Sequence, residues 1–325
     1  FPLNWQGIIR KTALKASKNS MKGRNLLTLA DLNADELETL LALAQKLKAG
    51  YLPQSAQNRV LGLLFYKAST RTRVSFSAAM YHLGGQVIDL NPQAMQLERG
   101  EPIQDTARVL AGYLDVIAIR TFAQTDLEMF AHYAVIPVIN ALTDLAHPCQ
   151  VLADLLTMQE HFGQLEGLTL TYLGDGNNVA HSLLLGCALG GVNIRVATPA
   201  EYMPKKEIVE QAQNLAKPGT EITLTEHPQT AVQGAQVIYT DVWASMGQED
   251  TAATRLPLFQ PYQVNEELMN LADAQAIVLH CLPAHREEEI TEAVLESSQS
   301  RVWQQAENRM HAQKALLASV LGLWD

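Results

Sequence analysis

The sequence predicts an α/β protein with two doubly wound domains, each built on a parallel sheet and joined to the other by long helices. Short apolar runs alternate with amphipathic segments along the chain, as in parallel strands connected by crossover helices. The alternation occurs as two series, one on either side of Gly163. A length of 325 residues also suits about two domains.

The first series places strands at its apolar runs and helices where apolar residues recur every three or four positions. The predicted strands are residues 60–65, 86–90, 115–120 and 137–140. The predicted helices are residues 33–48, 74–83, 102–113, 125–134 and 148–162. Thr125 and Glu128 have the spacing of a capping box, which predicts that the fourth of these helices opens at Thr125.

The second series follows the same pattern. The predicted strands are residues 168–173, 193–198, 221–225, 236–240 and 276–280. The predicted helical segments are residues 179–189, 205–217, 264–271 and 307–321, with a short turn at 230–234. Two long polar loops, residues 91–101 and 244–260, interrupt the alternation. Loops of this length in compact α/β domains are often functional.

Composition excludes several classes of partner. A net charge of −10 argues against nucleic acid or an anionic membrane as the main partner. No apolar run approaches the roughly 20 residues of a membrane helix. The three cysteines, Cys149, Cys187 and Cys281, show no paired spacing, which predicts a chain without disulfides in a reducing compartment.

The first 30 residues carry six basic side chains and no acidic one. This stretch, and the leader over residues 1–21 in particular, has two interpretations: the remnant of an organelle-targeting peptide, or a surface arm or helix with a basic face. The predicted location is the cytoplasm, or an organelle matrix if the first interpretation holds.

The segment Ser69-Thr70-Arg71-Thr72-Arg73 lies where the first strand gives way to a helix. A helix N-terminus offers unpaired N–H groups and the positive end of the helix dipole. Hydroxyls and guanidiniums added there predict a pocket for a small, multiply charged anion such as phosphate. The alternative is an ordinary helix cap with two solvated arginines.

Other polar clusters also follow predicted strands. They are Arg120, the segment His147-Pro148-Cys149-Gln150, the segment Gly174-Asp175-Gly176-Asn177-Asn178, Asp241 with Ser245-Met246-Gly247, and the segment His280-Cys281-Leu282-Pro283. Because open α/β sheets bind ligands at the carboxyl ends of their strands, we expect a cleft between the domains with a ligand site from each. Taken singly, Arg120 could be a surface ion-pair partner and Cys281 a buried apolar residue.

Two other kinds of site are weighed against this cleft. His280, Cys281 and His285 suggest zinc, but no second ligand cluster stands at usable spacing. Gly174 and Gly176 after a strand begin a dinucleotide fingerprint. The third glycine position is taken by Ala180 or its neighbour, and residues 195–199 provide no acidic group for a ribose, so an NAD-dependent oxidoreductase is disfavoured.

Taken together, four motifs resemble the ornithine carbamoyltransferase family. They are Ser69 to Arg73, His147-Pro148-x-Gln150, Asp241-Val242-Trp243-x-Ser245-Met246-Gly247 and His280-Cys281-Leu282-Pro283. Residues 105–110, 174–178 and 307–309 resemble it too, and the likeness runs from about residue 22 to 321. The first two motifs resemble the whole aspartate/ornithine carbamoyltransferase superfamily, and the last two narrow the resemblance to the ornithine branch.

The resemblance implies transfer of the carbamoyl group of carbamoyl phosphate to the δ-amine of L-ornithine, giving L-citrulline and phosphate, without a metal or organic cofactor. It implies a carbamoyl phosphate domain over residues 22–155, an ornithine domain over 156–305 and a C-terminal helix, 306–325, packed back on the first domain. It also implies arginine or urea metabolism and a homotrimer or a multiple of trimers.

The resemblance assigns the site residues as well. It assigns the phosphate of carbamoyl phosphate to Ser69, Thr70, Arg71 and Thr72, with Gln96 reaching it from a neighbouring subunit. It assigns the carbamoyl end to Arg120, His147 and Gln150, beside Cys281, Leu282 and Arg309, with Arg120, His147 and Cys281 catalytic. It assigns ornithine to Asn178, Asp241, Ser245 and Met246.

Three alternatives remain open on the sequence. The acceptor could be putrescine, N-acetylornithine or aspartate, although the carboxylate of Asp241 suits a free α-amino cation better than an acylated amine or an additional acid. The chain could instead be a non-catalytic subunit of the same fold, which the intact Arg71, Arg120, His147 and Cys281 argue against. Either the leaving phosphate or Cys281 could take the proton of the attacking amine.

Overall fold

A computed structural model describes residues 19–244 and 252–324, without the side chains of residues 97, 98, 252 and 253. Most of the predicted basic leader, together with Ser245 and Met246, lies outside the described residues. Within them, two parallel sheets with flanking helices form the centre of the molecule.

The first sheet has four strands in the order β2-β1-β3-β4. They are β1 (Val60–Phe65), β2 (Gln86–Leu90), β3 (Val116–Arg120) and β4 (Val138–Leu142). The helices around it are α1 (Ala34–Lys48), α2 (Thr70–His82), α3 (Ile103–Ala111), α4 (Gln124–Tyr133) and α5 (Pro148–Phe162). The loop predicted over residues 91–101 contains two short 3₁₀ helices, Pro92–Ala94 and Gln96–Arg99.

The second sheet has five strands in the order β7-β6-β5-β8-β9. They are β5 (Thr169–Leu173), β6 (Asn193–Ala197), β7 (Ile222–Thr225), β8 (Val237–Thr240) and β9 (Ile277–His280). Its helices are α6 (Asn178–Gly190), α7 (Lys206–Leu215), α8 (Pro228–Val232), α9 (Ala252–Phe259), α10 (Glu266–Met269) and α11 (Glu292–Leu295). The last helix, α12 (Val302–Val320), packs against α1, α2 and α5.

The predicted fold class is confirmed, and each predicted strand is found within two residues of its predicted bounds. Several helix bounds were wrong. Helix α2 begins at Thr70 rather than residue 74, and α12 begins at Val302 rather than 307. Helix α9 occupies much of what was predicted as a loop, and the segment predicted as a helix over 264–271 holds only the four-residue α10.

The capping box predicted at Thr125 was also wrong. Helix α4 begins at Gln124 behind Ala123, which has no side chain able to cap. The amide of Gln124 instead donates to Oδ1 of Asp144 at 3.1 Å. A carboxylate brought by the fold therefore caps this helix in place of the local motif.

Helices α5 and α12 connect the two sheets through a continuous buried core. One apolar cluster contains Leu61 of β1, Leu152 of α5, Leu170 of β5 and Leu316 of α12. The domain boundaries predicted after residues 155 and 305 fall inside these two helices, and the division stays a prediction. No helix in the described ranges has both the length and the apolar character needed to cross a membrane.

Candidate active site

The N-terminus of α2 lies just beyond the carboxyl end of β1. Ser69 precedes the helix with extended backbone and makes no capping bond through its side chain. Its hydroxyl accepts instead from Nη1 of Arg120 at 3.4 Å. Because α2 starts at Thr70, residues 70–72 form its first turn, where N–H groups have no partner within the helix. Thr70 and Arg71 are exposed there and Thr72 is buried.

Arg120 is the last residue of β3, which is one of the two central strands of the first sheet. The pairing of β3 with β4 shifts register between Ile119 and Arg120, so Arg120 lies opposite Leu142. Its side chain is buried and its Nε has no hydrogen-bond partner. Burial, together with the positive charges of Arg309 and Arg71, lowers the pKa of Arg120 to about 10. The guanidiniums of Arg71, Arg120 and Arg309 thus share one region, which favours an anion between them.

Arg309 reaches this region from α12. Its Nη2 donates to Oγ1 of Thr72 at 2.6 Å, and its Nη1 donates to Oε1 of Gln150 at 2.6 Å. Its Nε has no partner, as is also the case for Arg120. Two buried guanidiniums with unpartnered Nε atoms lie beside a helix N-terminus, and these are the donors that a phosphate or a carbonyl oxygen accepts from.

His147 precedes α5 and is buried at the same place. Its backbone N–H donates to Oγ of Ser182 at 2.8 Å, and its ring Nδ1 has no partner. Burial, together with the charges of Arg309 and Arg120, lowers the pKa of His147 well below its usual value. The imidazole is therefore neutral near pH 7, and it can donate a hydrogen bond without adding a fourth positive charge.

Asp241 and Cys281 meet at the ends of the neighbouring strands β8 and β9. The thiol of Cys281 donates to Oδ1 of Asp241 at 2.8 Å. Oδ1 also accepts from the N–H of Val242, and Oδ2 accepts from Nδ2 of Asn177 at 2.8 Å. Burial and the Asp241 carboxylate raise the pKa of Cys281 well above its usual value, so this residue is a thiol and not a thiolate.

The structure brings Asn177, rather than Asn178, to Asp241. Oδ1 of Asn177 caps α6 by accepting from the amides of Val179 and Ala180, and its Nδ2 then faces Asp241. Nδ2 of Asn178 donates to the carbonyl of Thr143 at 2.6 Å. The missed residue carried a signal, since an asparagine that immediately precedes a helix is a common cap.

His280 holds the turn that carries Cys281 and Leu282. The N–H of Leu282 donates to Nδ1 of His280 at 2.8 Å, so Nε2 carries the ring proton and donates to Glu289 at 3.0 Å. Both ring nitrogens are occupied, which removes His280 from the zinc hypothesis. Ligand atoms of His285, Glu288 and Glu289 lie within 4.8 Å of one another, but the buried Glu289 is already engaged by His280 and by the amide of His285.

Gly176 of the dinucleotide fingerprint allows two backbone segments to pack closely against each other. A side chain at Gly176 would lie 2.4 Å from the carbonyl of Tyr202 and 2.4 Å from the nitrogen of Pro204. The N–H of Gly176 donates to that carbonyl at 2.9 Å. The backbone around residue 203 therefore occupies the side of Gly176 that a pyrophosphate would need to approach.

Gln96 and Leu282 are the remaining predicted site residues that the structure describes. Gln96 is exposed on the 3₁₀ helix Gln96–Arg99. Leu282 is partly buried against the apolar cluster of the second sheet. Sequence reasoning missed Asp154 and Gln305, which lie behind Gln150: Nε2 of Gln150 and Nε2 of Gln305 both donate to Oδ1 of Asp154.

Fold and site together define an α/β protein of two sheets with a cluster of three arginines on one side and a carboxylate–thiol pair on the other. Family models match both parts: the carbamoyl-P binding domain of aspartate/ornithine carbamoyltransferase over residues 24–160, and the Asp/Orn binding domain over residues 166–320. The chain belongs to the aspartate/ornithine carbamoyltransferase family.

Individual relatives are similar over almost their whole length. Ornithine carbamoyltransferase of Nostoc punctiforme is 68% identical over 303 residues, which cover 93% of this chain and 99% of the relative. The crystal structure of the Gloeobacter violaceus enzyme of that name is 55% identical with a TM-score of 0.86, covering 93% of this chain and 100% of that one. The Pyrococcus furiosus structure is 49% identical with a TM-score of 0.89, covering 93% and 98%.

Proposed function

We propose that this protein transfers the carbamoyl group of carbamoyl phosphate to the δ-amine of L-ornithine, giving L-citrulline and phosphate. The observation that carries the proposal is the junction of Arg120, Arg309 and the α2 N-terminus beside the Asp241–Cys281 pair. Relatives between 59% and 68% identical to this chain bear the name ornithine carbamoyltransferase.

Carbamoyl phosphate would bind at the N-terminus of α2. The phosphate accepts from the first-turn amides, from the hydroxyls of Ser69, Thr70 and Thr72, and from Arg71. The exposed side chain of Arg71 makes no hydrogen bond or ion pair within the described ranges and is free to move onto the phosphate. The carbamoyl end lies toward the buried cluster of Arg120, His147, Gln150 and Arg309, with Cys281 and Leu282 completing the site.

Ornithine would bind at the ends of β8 and β9. The Asp241 carboxylate pairs with its α-amino cation, and Asn177 keeps that carboxylate in place. Asn178, Ser245 and Met246 complete the amino acid site in this proposal, and Asn177 joins them as a positioning residue. An acylated amine would leave the buried Asp241 without a cation, so the site selects against N-acetylornithine.

The chemistry follows from these positions. The neutral δ-amine attacks the carbamoyl carbon, the new C–N bond forms, and the bond from carbon to the phosphate oxygen breaks. Arg120 and the neutral His147 donate to the carbonyl oxygen, on which negative charge develops. Because Cys281 is held as a thiol, it is not the base, and the amine proton leaves with the phosphate. Holding both substrates together supplies the orientation.

The test is citrulline formation from carbamoyl phosphate, with ornithine, putrescine and N-acetylornithine measured side by side. Ornithine is expected to exceed both alternatives in kcat/KM by more than about 100-fold, since each of them lacks a group that the buried polar residues need as a partner. A higher kcat/KM for putrescine or N-acetylornithine would assign another acceptor. No product from any amine would indicate a non-catalytic subunit.

The finer assignments belong to the same proposal. We propose a homotrimer or a multiple of trimers, acting in arginine biosynthesis in the cytoplasm without a metal or organic cofactor. Val74 and Tyr81 on α2 and Ile88 on the edge strand β2 are exposed apolar side chains, which supports an interface on that side. Native mass spectrometry tests the assembly. Unchanged activity after dialysis against a chelator tests the absence of a metal.

A further inference from the structure

We propose that Asp154 is a positioning residue: its buried carboxylate holds Gln150 and Gln305 in the orientations that link the carbamoyl phosphate site to the turn carrying Cys281. The inference rests on the proposed function, because it assigns a role within that same site. It concerns a residue that touches neither substrate and acts through its neighbours.

The link toward carbamoyl phosphate runs through Gln150. Oδ1 of Asp154 accepts from Nε2 of Gln150 at 2.8 Å, one helical turn away on α5. An amide that donates on one side must present its oxygen on the other, and Oε1 of Gln150 accepts from Arg309 at 2.6 Å. Arg309 in turn donates to Thr72 in the first turn of α2. Asp154 thereby fixes which end of the Gln150 amide faces Arg309.

The link toward the amino acid site runs through Gln305 on α12. The same Oδ1 of Asp154 accepts from Nε2 of Gln305 at 2.7 Å. Oε1 of Gln305 then accepts the backbone N–H of His280 at 2.9 Å. His280 accepts the N–H of Leu282 through Nδ1. Cys281, between these two residues, donates its thiol to Asp241 in the proposed ornithine site. One carboxylate oxygen therefore orients two amides that act on the two halves of the site.

A neutral residue would hold the two amides less firmly. Asp154 is fully buried, and its Oδ2 has no partner. Above the pKa of Asp154, which burial raises to about 7, the carboxylate is ionised. Hydrogen bonds to an ionised acceptor are roughly twice as strong as neutral ones, which keeps both amides from rotating. The carboxylate is a single acceptor shared by α5 and α12, the helices that connect the two sheets.

The variant Asp154→Asn keeps the shape of the side chain and removes its charge. In assays above the pKa of about 7 that burial gives Asp154, we expect kcat/KM for carbamoyl phosphate and for ornithine to fall by about tenfold each, because two charge-assisted hydrogen bonds become neutral ones. The matched control is Thr157→Val, one turn further along α5. Its buried hydroxyl bonds the carbonyl of Ala153 and the amide of Asn308, so the control loses buried hydrogen bonds outside the link.

A second variant, Gln305→Leu, removes the hydrogen bonds that join Asp154 to the N–H of His280 through Gln305. It should raise the KM for ornithine more than the KM for carbamoyl phosphate, since Cys281 on the released turn donates to Asp241 while Gln150 keeps its bond to Asp154. In the double variant, the total loss should be smaller than the product of the two single losses, because Asp154 acts in part through Gln305. This split keeps the proposal testable even if Asp154→Asn fails to fold.

Binding of a bisubstrate analogue, a phosphonoacetyl group joined to the δ-nitrogen of ornithine, gives a readout independent of turnover. Calorimetry should show weaker binding to Asp154→Asn and unchanged binding to Thr157→Val. If the two variants lose kcat/KM alike, or the losses of Asp154→Asn and Gln305→Leu multiply, Asp154 has only a structural role. A wild-type protein that forms no citrulline overturns the proposed function; an active wild type with an indifferent Asp154→Asn overturns only this inference.

Discussion

The guanidinium of Arg309 donates to the hydroxyl of Thr72 across 2.6 Å, although 237 residues separate the two along the chain. Thr72 belongs to the first turn of α2, and Arg309 to the helix that follows the second sheet. The anion site on the first sheet is thus completed by a side chain that arrives only after the second sheet has been traversed.

Replacing Arg71 by alanine should weaken carbamoyl phosphate binding and leave the fold intact, since Arg71 is exposed. A charged hydrogen bond contributes about 1.5–3 kcal/mol, which corresponds to roughly 10- to 150-fold in affinity. Calorimetry on the folded variant measures the loss. An unchanged affinity would place the phosphate elsewhere. Arg73→Ala is the control, because Arg73 is already paired with Asp89.

Asp241→Asn should raise the KM for ornithine much more than that for carbamoyl phosphate. Asp241 is buried between the amide of Asn177 and the thiol of Cys281, and its charge has no other cation partner among the described hydrogen bonds and ion pairs. Loss of a pairing with the α-amino group should cost about 10- to 100-fold in kcat/KM for ornithine. Steady-state kinetics with both substrates varied decides, and equal effects on the two would contradict the assignment.

Cys281 should react slowly with iodoacetamide at pH 7.5, because burial and Asp241 raise the pKa of its thiol. Its alkylation rate should increase toward alkaline pH, and it should increase at pH 7.5 in Asp241→Asn, where the raising charge is gone. Bound carbamoyl phosphate with an ornithine analogue should slow the reaction further. Mass spectrometry of the labelled peptide follows all three. Cys149 and Cys187 are fully buried and provide the unreactive reference.

Asp154→Asn should also change how stability depends on pH. Burial raises the pKa of Asp154 from 3.8 to about 7, with Arg309, Gln150, Gln305 and Tyr239 opposing the rise. The folded protein therefore binds a proton that the unfolded chain releases between those two values, and the free energy of unfolding falls as the pH rises through that window.

Asp154→Asn has no carboxyl proton to lose, so its free energy of unfolding does not fall in this way as the pH rises. Its Tm relative to wild type should increase from about pH 4 to about pH 7 and then stay level, as the linkage relation requires. Calorimetric scans across this range measure the difference. Cys187, Cys281 and Tyr239 interact with the Asp154 charge, but burial raises the pKa of each, so they stay neutral in this window. A constant difference in Tm would mean that Asp154 is ionised throughout.

The proposed sharing of the site between subunits can be tested by mixing. Arg71→Ala and a deletion of the 91–101 loop should each give an almost inactive homotrimer. Refolded together, they should recover activity, because some sites then receive an intact Arg71 from one chain and an intact Gln96 loop from the other. Each variant refolded alone is the control. Mixed trimers seen by native mass spectrometry that stay inactive would show that one chain builds each site.

A feature of this structure could be predicted from the sequence where residues close together in the chain determine it. Strands β1 to β9 follow apolar runs, so each was predicted within two residues. The capping box at Thr125 failed because Asp144, brought by the fold, satisfies the amide of Gln124. Helix α9 was taken for a loop because residues 244–260 are polar and contain Gly247. The helix forms although Pro257, a poor helix former, lies inside it.

The site divides in the same way. Side chains that follow strands, such as Arg120, Asp241 and Cys281, were found because strand ends meet at a sheet edge. Arg309 was assigned only through family resemblance, since nothing in a long amphipathic helix reveals that it reaches Thr72. None of the neighbours of Asp154 at helical spacing (Gln150, Val151, Thr157 and Met158) is charged, and a lone carboxylate in such a helix is a signal that could have been used.

Helix α12 is synthesised after all the described strands, so its side chains are the last part of the site to be made. A ribosome that has reached residue 300 of this sequence has made every described strand of both sheets, yet neither Gln305 nor Arg309 exists at that moment. The nascent protein can therefore form much of its core while it is still unable to assemble the anion site. A stop codon between residues 300 and 305 would release a chain that has every described strand but lacks Gln305 and Arg309, and that therefore cannot complete the proposed site.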